Sequence, residues 1–129
     1  MSELERFAKK NYLNLETFRK TGIGVKTPVW FVLDGELLYV STVATSGKVK
    51  RIHNDGRANV APCRMDGTPT GPWVPARVSE ITDPVEDERI NRLLDKKYGW
   101  LKKLFDGQRA RHGAKDTVLE IALEKSETA

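Results

Sequence analysis

Short apolar runs separated by turn signals are the feature that most constrains the fold of this chain. The runs cover residues 12–18, 25–33, 37–42, 57–64, 71–81 and 117–123 and contain many β-branched and aromatic residues. Asp34-Gly35, between the second and third runs, is a strong hairpin signal. The runs do not alternate with helices as they would in a parallel sheet. The pattern therefore predicts a mainly β fold, a small barrel of six to seven antiparallel strands with peripheral helices.

Two segments have a helical pattern instead. Residues 46–54 predict a short helix, and residues 84–105 predict a long amphipathic helix with a break or bend at Gly99. Pro72 and Pro75 lie within the 71–81 run, and proline cannot donate a hydrogen bond to a neighbouring strand. That run is therefore predicted to be an edge strand or to contain a bulge.

Composition indicates one domain spanning residues 1–129, with 39% hydrophobic and 31% charged residues. No apolar run approaches the roughly 20 residues that a membrane helix needs. The charged start of the chain lacks the apolar segment of a signal peptide, and Cys63 is the one cysteine. We therefore expect a cytoplasmic protein without a membrane span. The net charge of +4 favours anionic ligands but does not by itself indicate nucleic acid.

The strongest candidate binding motif is the junction between the third run and the short helix. Ser46 is a suitable N-cap, Gly47 permits close approach of a ligand, and Lys48 and Arg51 lie one turn apart. Unpaired N–H groups at a helix start favour a phosphate, although many such junctions bind nothing. A P-loop is excluded, because Thr42 and the residue after Lys48 do not match its pattern.

Other side chains offer less evidence of chemistry. Cys63 is more consistent with a buried apolar role than with a nucleophile, and His53 and His112 lack companions at metal-ligand spacing. Trp30 and Trp73 either fill the core or stack against a planar ring. No acid, base or nucleophile array is recognisable, so we predict a phosphorylated planar cofactor that brings its own chemistry.

Six motifs occur in an order that resembles a known family. They are Thr27-Pro28-Val29-Trp30-Phe31, Tyr39-Val40-Ser41-Thr42, Ser46 to Ile52, Val60-Ala61-Pro62-Cys63, Gly71-Pro72-Trp73-Val74 and Lys97-Tyr98-Gly99-Trp100. Together they resemble the pyridoxamine 5′-phosphate oxidase-like split-barrel flavoproteins. Within that superfamily they are most similar to the class that uses the deazaflavin coenzyme F420. The resemblance covers roughly residues 9–124.

The resemblance implies a split barrel that forms a homodimer, with cofactor sites in grooves between the subunits. It implies that Pro28, Val29 and Trp30 lie along the ring of the cofactor. Ser41 and Thr42 would reach the ribityl chain or phosphate, and Ser46, Gly47, Lys48 and Arg51 would hold the phosphate. Pro62, Cys63 and Arg64 would close the other side, with Trp73 contributed across the dimer.

The function implied first is an oxidoreductase that transfers hydride from reduced F420 to an unsaturated or quinone-like small molecule. FMN at the same site is the alternative cofactor. F420 is preferred because its anionic tail needs extra cations, for which Lys50, Arg57, Arg64 and the basic residues of the long helix are candidates. A non-catalytic protein that binds flavin, haem or a related tetrapyrrole is a further alternative. Nucleic-acid binding ranks last, because the aromatic residues lie in apolar runs.

Overall fold

The computed structural model describes residues 3–99 and 115–124. In these residues the chain forms seven β-strands, two α-helices and a short 3-10 helix. The strands are β1 (Tyr12–Phe18), β2 (Gly24–Trp30), β3 (Val32–Asp34), β4 (Leu37–Val43), β5 (Arg57–Cys63), β6 (Val74–Ile81) and β7 (Asp116–Leu123). The helices are the 3-10 helix (Glu3–Arg6), α1 (Gly47–Asn54) and α2 (Pro84–Tyr98).

The seven strands form one antiparallel sheet in the order β2-β1-β5-β6-β7-β4-β3. Its two outer strands, β2 and β3, are separated in the chain by Phe31 alone. The segment from Gly24 to Asp34 therefore pairs with β1 along its first part and with β4 along its second part, which closes the sheet. The predicted antiparallel barrel is confirmed. The single strand predicted over residues 25–33 is instead two strands that meet at Phe31.

Alternation along the strands gives the barrel an apolar interior. Leu13 and Leu15 in β1 and Leu38 and Val40 in β4 are fully buried and belong to one cluster. The short helix α1 covers this cluster by burying Val49 and Ile52, which are one turn apart. The interior thus fixes the position of α1 and of the chain that leads into it.

A second apolar cluster lies between the barrel and α2. It contains Ile90, Leu94 and Tyr98 from the helix together with Val118 from β7 and Tyr39 from β4. The helix begins as predicted, with Pro84 in its first turn and the Asp83 carboxylate accepting a hydrogen bond from the Val85 N–H at 3.0 Å. It ends at Gly99, which has a φ of 57°. Its predicted continuation to residue 105 lies outside the described residues.

The Tyr98 hydroxyl provides hydrogen bonds to the backbone of Phe31, the residue that separates β2 from β3. The buried Phe31 N–H donates to the Tyr98 hydroxyl at 2.8 Å. The same hydroxyl lies 2.6 Å from the Phe31 carbonyl oxygen and 2.8 Å from that of Asn11, so its proton has two acceptors. Lys97 Nζ also donates to the Phe31 carbonyl, at 2.8 Å. The end of α2 thus satisfies backbone groups that lie between the two strand ladders.

The prediction that residues 71–81 form an edge strand or contain a bulge is wrong, because β6 is an interior strand and its registers with β5 and β7 are unbroken. β6 begins at Val74 and lies between β5 and β7. Pro75 is tolerated because it is near the start of β6, beside the point where β7 ends. Its carbonyl accepts a hydrogen bond from the Glu124 N–H at 2.9 Å, just past the last β7 residue. The N–H that proline lacks would point towards the same side, where β7 has already ended.

Candidate functional site

The junction between β4 and α1 contains hydrogen-bonding groups without protein partners. Ser46 is the N-cap of α1 as predicted, but its side chain makes no capping hydrogen bond to the helix. The Ser41 and Ser46 hydroxyl oxygens are both buried and have no partner among the described residues. Because the first N–H groups of a helix have no partner within it, this end of α1 can accept an anion. These features fit the phosphate of a cofactor.

Arg51 bends back from the last turn of α1 towards its start. Its Nε donates to the buried Thr17 hydroxyl in β1 at 2.6 Å, which fixes the guanidinium. A Cβ on Gly47 would lie 2.8 Å from one of the terminal guanidinium nitrogens, so glycine leaves room for this arrangement. Burial, and then the positive charge of Arg19, lower the pKa of Arg51. No carboxylate among the described residues forms an ion pair with Arg51.

Ser41 and Thr42 are neighbours in β4 and point to opposite faces of the sheet. Ser41 lies opposite Val118 on the face that α2 covers, while Thr42 lies opposite Thr117 at buried positions. Lys48 lies in the first turn of α1, one turn before Arg51. The predicted phosphate-binding residues thus lie along one stretch of chain from the end of β4 into α1, but Ser41 is on the face that α2 covers and Thr42 is on the opposite face. These predicted residues are Ser41, Thr42, Ser46, Gly47, Lys48 and Arg51.

The remaining predicted residues form a second group on β2, β5 and the loop after β5. The register places Trp30 and Cys63 on either side of Tyr12, so the side chains of all three share the outer face. Val29 and Pro62 lie on either side of Leu13 and share the opposite face, towards the barrel interior. Val29 and Trp30 therefore point in opposite directions.

Trp30 is engaged in packing against α2. Its ring stacks on that of Tyr98, with centroids 4.7 Å apart and planes inclined by 12°. Cys63 is buried, and burial followed by the charge of Asp66 raises the pKa of its thiol. A raised pKa disfavours the thiolate, which agrees with a thiol that is not a nucleophile.

Trp73 lies just before β6 and contacts a cation of β2. Lys26 Nζ lies 5.1 Å from the centroid of the Trp73 ring, within the range of a cation–π interaction. Pro28 is exposed at the outer face, and Arg64 is exposed in the loop after β5. A Cβ on Gly67 would lie 3.8 Å from Pro28, so this loop folds back towards β2.

Three polar residues near these groups were not predicted from the sequence. They are Asn14, which has a buried Oδ1 without a partner among the described residues, Thr17, which holds Arg51, and Arg19. Thr17 has a detectable signal, since it follows Leu13 and Leu15 at the inward positions of β1. Its hydrogen-bond partner, Arg51, lies in α1, and the sequence around Thr17 gives no indication of this pairing.

A polar chain joins α1 to the barrel at another point. Glu80 Oε1 lies 2.7 Å from His53 Nε2, and its other oxygen accepts a hydrogen bond from the Thr117 hydroxyl. These hydrogen bonds, with that of Thr117 the larger effect, lower the pKa of Glu80. Within residues 3–99 and 115–124 no group of three or more potential metal ligands occurs, and His112 lies outside this range.

A depression of about 880 Å³ beside the start of α2 contains none of the predicted site residues. It is lined by Thr82, Pro84, Asp87, Glu88, Asn91 and Lys115. Neither described helix is long and apolar enough to cross a membrane.

Comparison with solved structures identifies the fold. A candidate pyridoxamine 5′-phosphate oxidase from Listeria innocua is similar, with a TM-score of 0.68, 15% identity, and coverage of 95% of this chain and 90% of the other. HutZ, a haem storage protein from Vibrio cholerae, has a TM-score of 0.71 at 11% identity, with coverage of 95% and 88%. A structure named F420 reductase has a TM-score of 0.58 at 14% identity, with coverage of 97% and 95%.

No protein-family model and no curated protein matches the chain. The similarity in structure nevertheless extends over nearly the whole chain. The chain has the split-barrel fold of the pyridoxamine 5′-phosphate oxidase-like proteins, as its motifs predict.

Proposed function

We propose that this protein is an oxidoreductase that binds a phosphorylated, flavin-type cofactor at the β4–α1 junction. The cofactor proposed first is F420, from which hydride passes to an unsaturated or quinone-like small molecule. The observation that carries this proposal is the junction itself. It combines a helix start without a side-chain cap, the buried Ser46 hydroxyl, and the Arg51 guanidinium; within the described part of the chain this hydroxyl has no hydrogen-bond partner and this guanidinium has no carboxylate partner.

The protein residues bind and orient, and the bound cofactor supplies the hydride chemistry from its ring. Arg51, held by Thr17, presents its terminal nitrogens beside Gly47, where they can bind a phosphate oxygen. Lys48 adds a second positive charge from the first turn of α1, one turn before Arg51. A phosphate fixed here sets the position of the ring along the barrel and brings the substrate to it.

The ring itself has candidate contacts on the second group of residues. Pro28 and Trp73 present exposed or partly exposed surface on the outer side of the barrel, and the exposed Arg64 follows β5. Trp30 and Cys63 share this side, while Val29 and Pro62 support it from the interior. The Trp30 ring is stacked on Tyr98, so it offers its edge or its opposite face to a ligand.

FMN is the alternative cofactor for this site. Arg57, a candidate for contacting the tail of F420, is paired with Asp55 at 3.0 Å. Lys50 and Arg64 are exposed and available for the tail of F420, so the preference for F420 rests on them. Haem storage is the function named for one similar structure, and it is the alternative outside enzymes.

Absorbance spectroscopy distinguishes these ligands. The purified protein is incubated separately with F420, FMN and haem, and free ligand is removed. We expect the spectrum of F420 to be retained, whereas retention of FMN alone would change the cofactor assignment. A Soret band with neither flavin-type spectrum would instead support the haem-binding alternative.

We predict that Lys48→Ala weakens cofactor binding by about tenfold or more, since a charge-assisted hydrogen bond contributes roughly 1.5–3 kcal/mol. Folding stability should change little. The measurement is a fluorescence titration with F420 and with FMN, and Lys20→Ala, an exposed cation in the turn after β1, is the control. Equal affinities of the two variants would contradict a phosphate site at α1.

We also predict a homodimer, because the site lies on the open surface of one barrel and a second subunit would enclose it. In this arrangement the partner subunit contributes its Trp73 to the groove. Analytical ultracentrifugation at micromolar concentration should give twice the chain mass of 14.6 kDa. A monomer that retains full cofactor affinity would contradict a shared site.

A further inference from the structure

Arg19 lies near the candidate site although no motif includes it. It directly follows β1, in the turn where its N–H donates to the Ile23 carbonyl at 2.9 Å. Thr17 and Arg19 are alternate residues, so their side chains leave the chain on the same side. Thr17 is the residue that holds Arg51 Nε. This places two guanidinium groups, one from the turn after β1 and one from α1, at one edge of the barrel.

The charges of these two groups are not compensated by the protein. Among residues 3–99 and 115–124, neither Arg19 nor Arg51 has an ion pair with a carboxylate. Glu16 is close in sequence, but it points to the opposite face of β1 and accepts a hydrogen bond from Asn59 at 3.0 Å. Glu80, which faces α1 from β6, is occupied by His53 and Thr117.

Two neighbouring cations without a counter-ion repel each other and are stabilised by a bound anion. The effect of Arg19 on Arg51 is visible in the lowered pKa of Arg51, although burial is the larger cause. A guanidinium also matches the geometry of phosphate oxygens better than an ammonium does.

We propose that Arg19 is a further ligand-binding residue, which together with Arg51 binds the phosphate ester of the cofactor. The inference rests on the proposed function for the identity of the ligand, but the anion site itself does not depend on it. Arg51 is anchored by Thr17, whereas Arg19 is exposed in a turn and can adjust to the ligand. FMN offers a phosphate monoester and F420 a phosphodiester, and both present oxygens to this pair.

The test compares Arg19→Ala with Lys20→Ala, the neighbouring exposed cation in the same turn. Affinities for FMN, F420 and riboflavin are measured by fluorescence titration. Arg19→Ala should weaken binding of the two phosphorylated ligands by about tenfold or more. Lys20→Ala should leave it unchanged, and the affinity for riboflavin should be the same in all proteins. The stronger loss, for FMN or for F420, identifies which ester the pair prefers.

Inorganic phosphate tests the anion site in the absence of a cofactor. It should raise the melting temperature of the wild-type protein and of Lys20→Ala, but not that of Arg19→Ala. If phosphate acts in this way and no flavin-type cofactor binds, the proposed function is wrong and the anion site stands. If cofactor binds and Arg19→Ala behaves like Lys20→Ala in both assays, the role of Arg19 is wrong and the proposed function stands. If neither phosphate nor cofactor binds the wild-type protein, both are wrong.

Discussion

Tyr98→Phe is expected to lower the free energy of unfolding by about 2 kcal/mol, because it leaves a buried N–H group without a partner. The substitution keeps the aromatic ring that stacks on Trp30 and removes the hydroxyl that accepts from the Phe31 N–H. The Phe31 carbonyl keeps its bond from Lys97. Burial raises the pKa of Tyr98, so the hydroxyl remains protonated across the neutral range. Urea unfolding followed by circular dichroism measures the loss.

Tyr12→Phe is the matched control, because the Tyr12 hydroxyl makes no hydrogen bond within the described part of the chain. Its stability should lie close to that of the wild type. If Tyr98→Phe were as stable as Tyr12→Phe, the hydrogen bond from the Phe31 N–H to the Tyr98 hydroxyl would not contribute to stability.

The second large effect is expected on the rate at which reduced F420 is oxidised. The protein is expected to accelerate oxidation of reduced F420 by an electron-poor alkene or quinone at least about a hundredfold over the mixture without protein, because it holds both reactants in place. In air without an acceptor, reduced F420 should persist, since a deazaflavin has carbon in place of N5 and reacts poorly with oxygen. Stopped-flow absorbance measures both reactions.

Lys48→Ala serves as the control for site-specific turnover and should need about tenfold more cofactor to reach the same rate. Tight F420 binding without acceptor-dependent oxidation over a broad panel of acceptors would support a binding protein instead. Rapid oxygen-dependent oxidation with selective FMN binding would favour the alternative cofactor.

Local patterns predicted most of the elements in this fold. The Asp34-Gly35 signal marks the turn between β3 and β4, since Asp34 pairs with Leu37 and Gly35, with a φ of 62°, begins the two-residue turn. Ser46 marks the start of α1, and Pro84 that of α2. These features depend on a few adjacent residues, and the physical causes are visible in the sequence.

Features that depend on distant partners were not predictable. Residues 25–33 have the pattern of one mostly apolar strand, but the part before Phe31 pairs with β1 and the part after it pairs with β4. Proline is unfavourable in an interior strand, but Pro75 is tolerated because it lies beside the end of β7. Neither the division at Phe31 nor the tolerance of Pro75 can be recognised from the adjacent residues in the sequence.

The candidate site shows the same division. Ser46, Gly47, Lys48 and Arg51 share the short helix α1 and its start because they are close in sequence. Arg19 escaped the prediction because an exposed arginine in a turn has no distinctive pattern. For Trp30 the sequence left a core role and a ring-stacking role open, and the structure shows a contact with Tyr98, a residue of α2 far along the chain.

The position of β7 has a consequence for the synthesis of this protein. β7 lies between β6 and β4, and among the described strands it is the last in the chain. Until it leaves the ribosome, both of these strands expose unpaired N–H and C=O groups to other nascent chains. The contacts that close the barrel are also far apart in sequence, so they form slowly. We expect chaperone dependence to be concentrated in this interval, before β7 covers both edges.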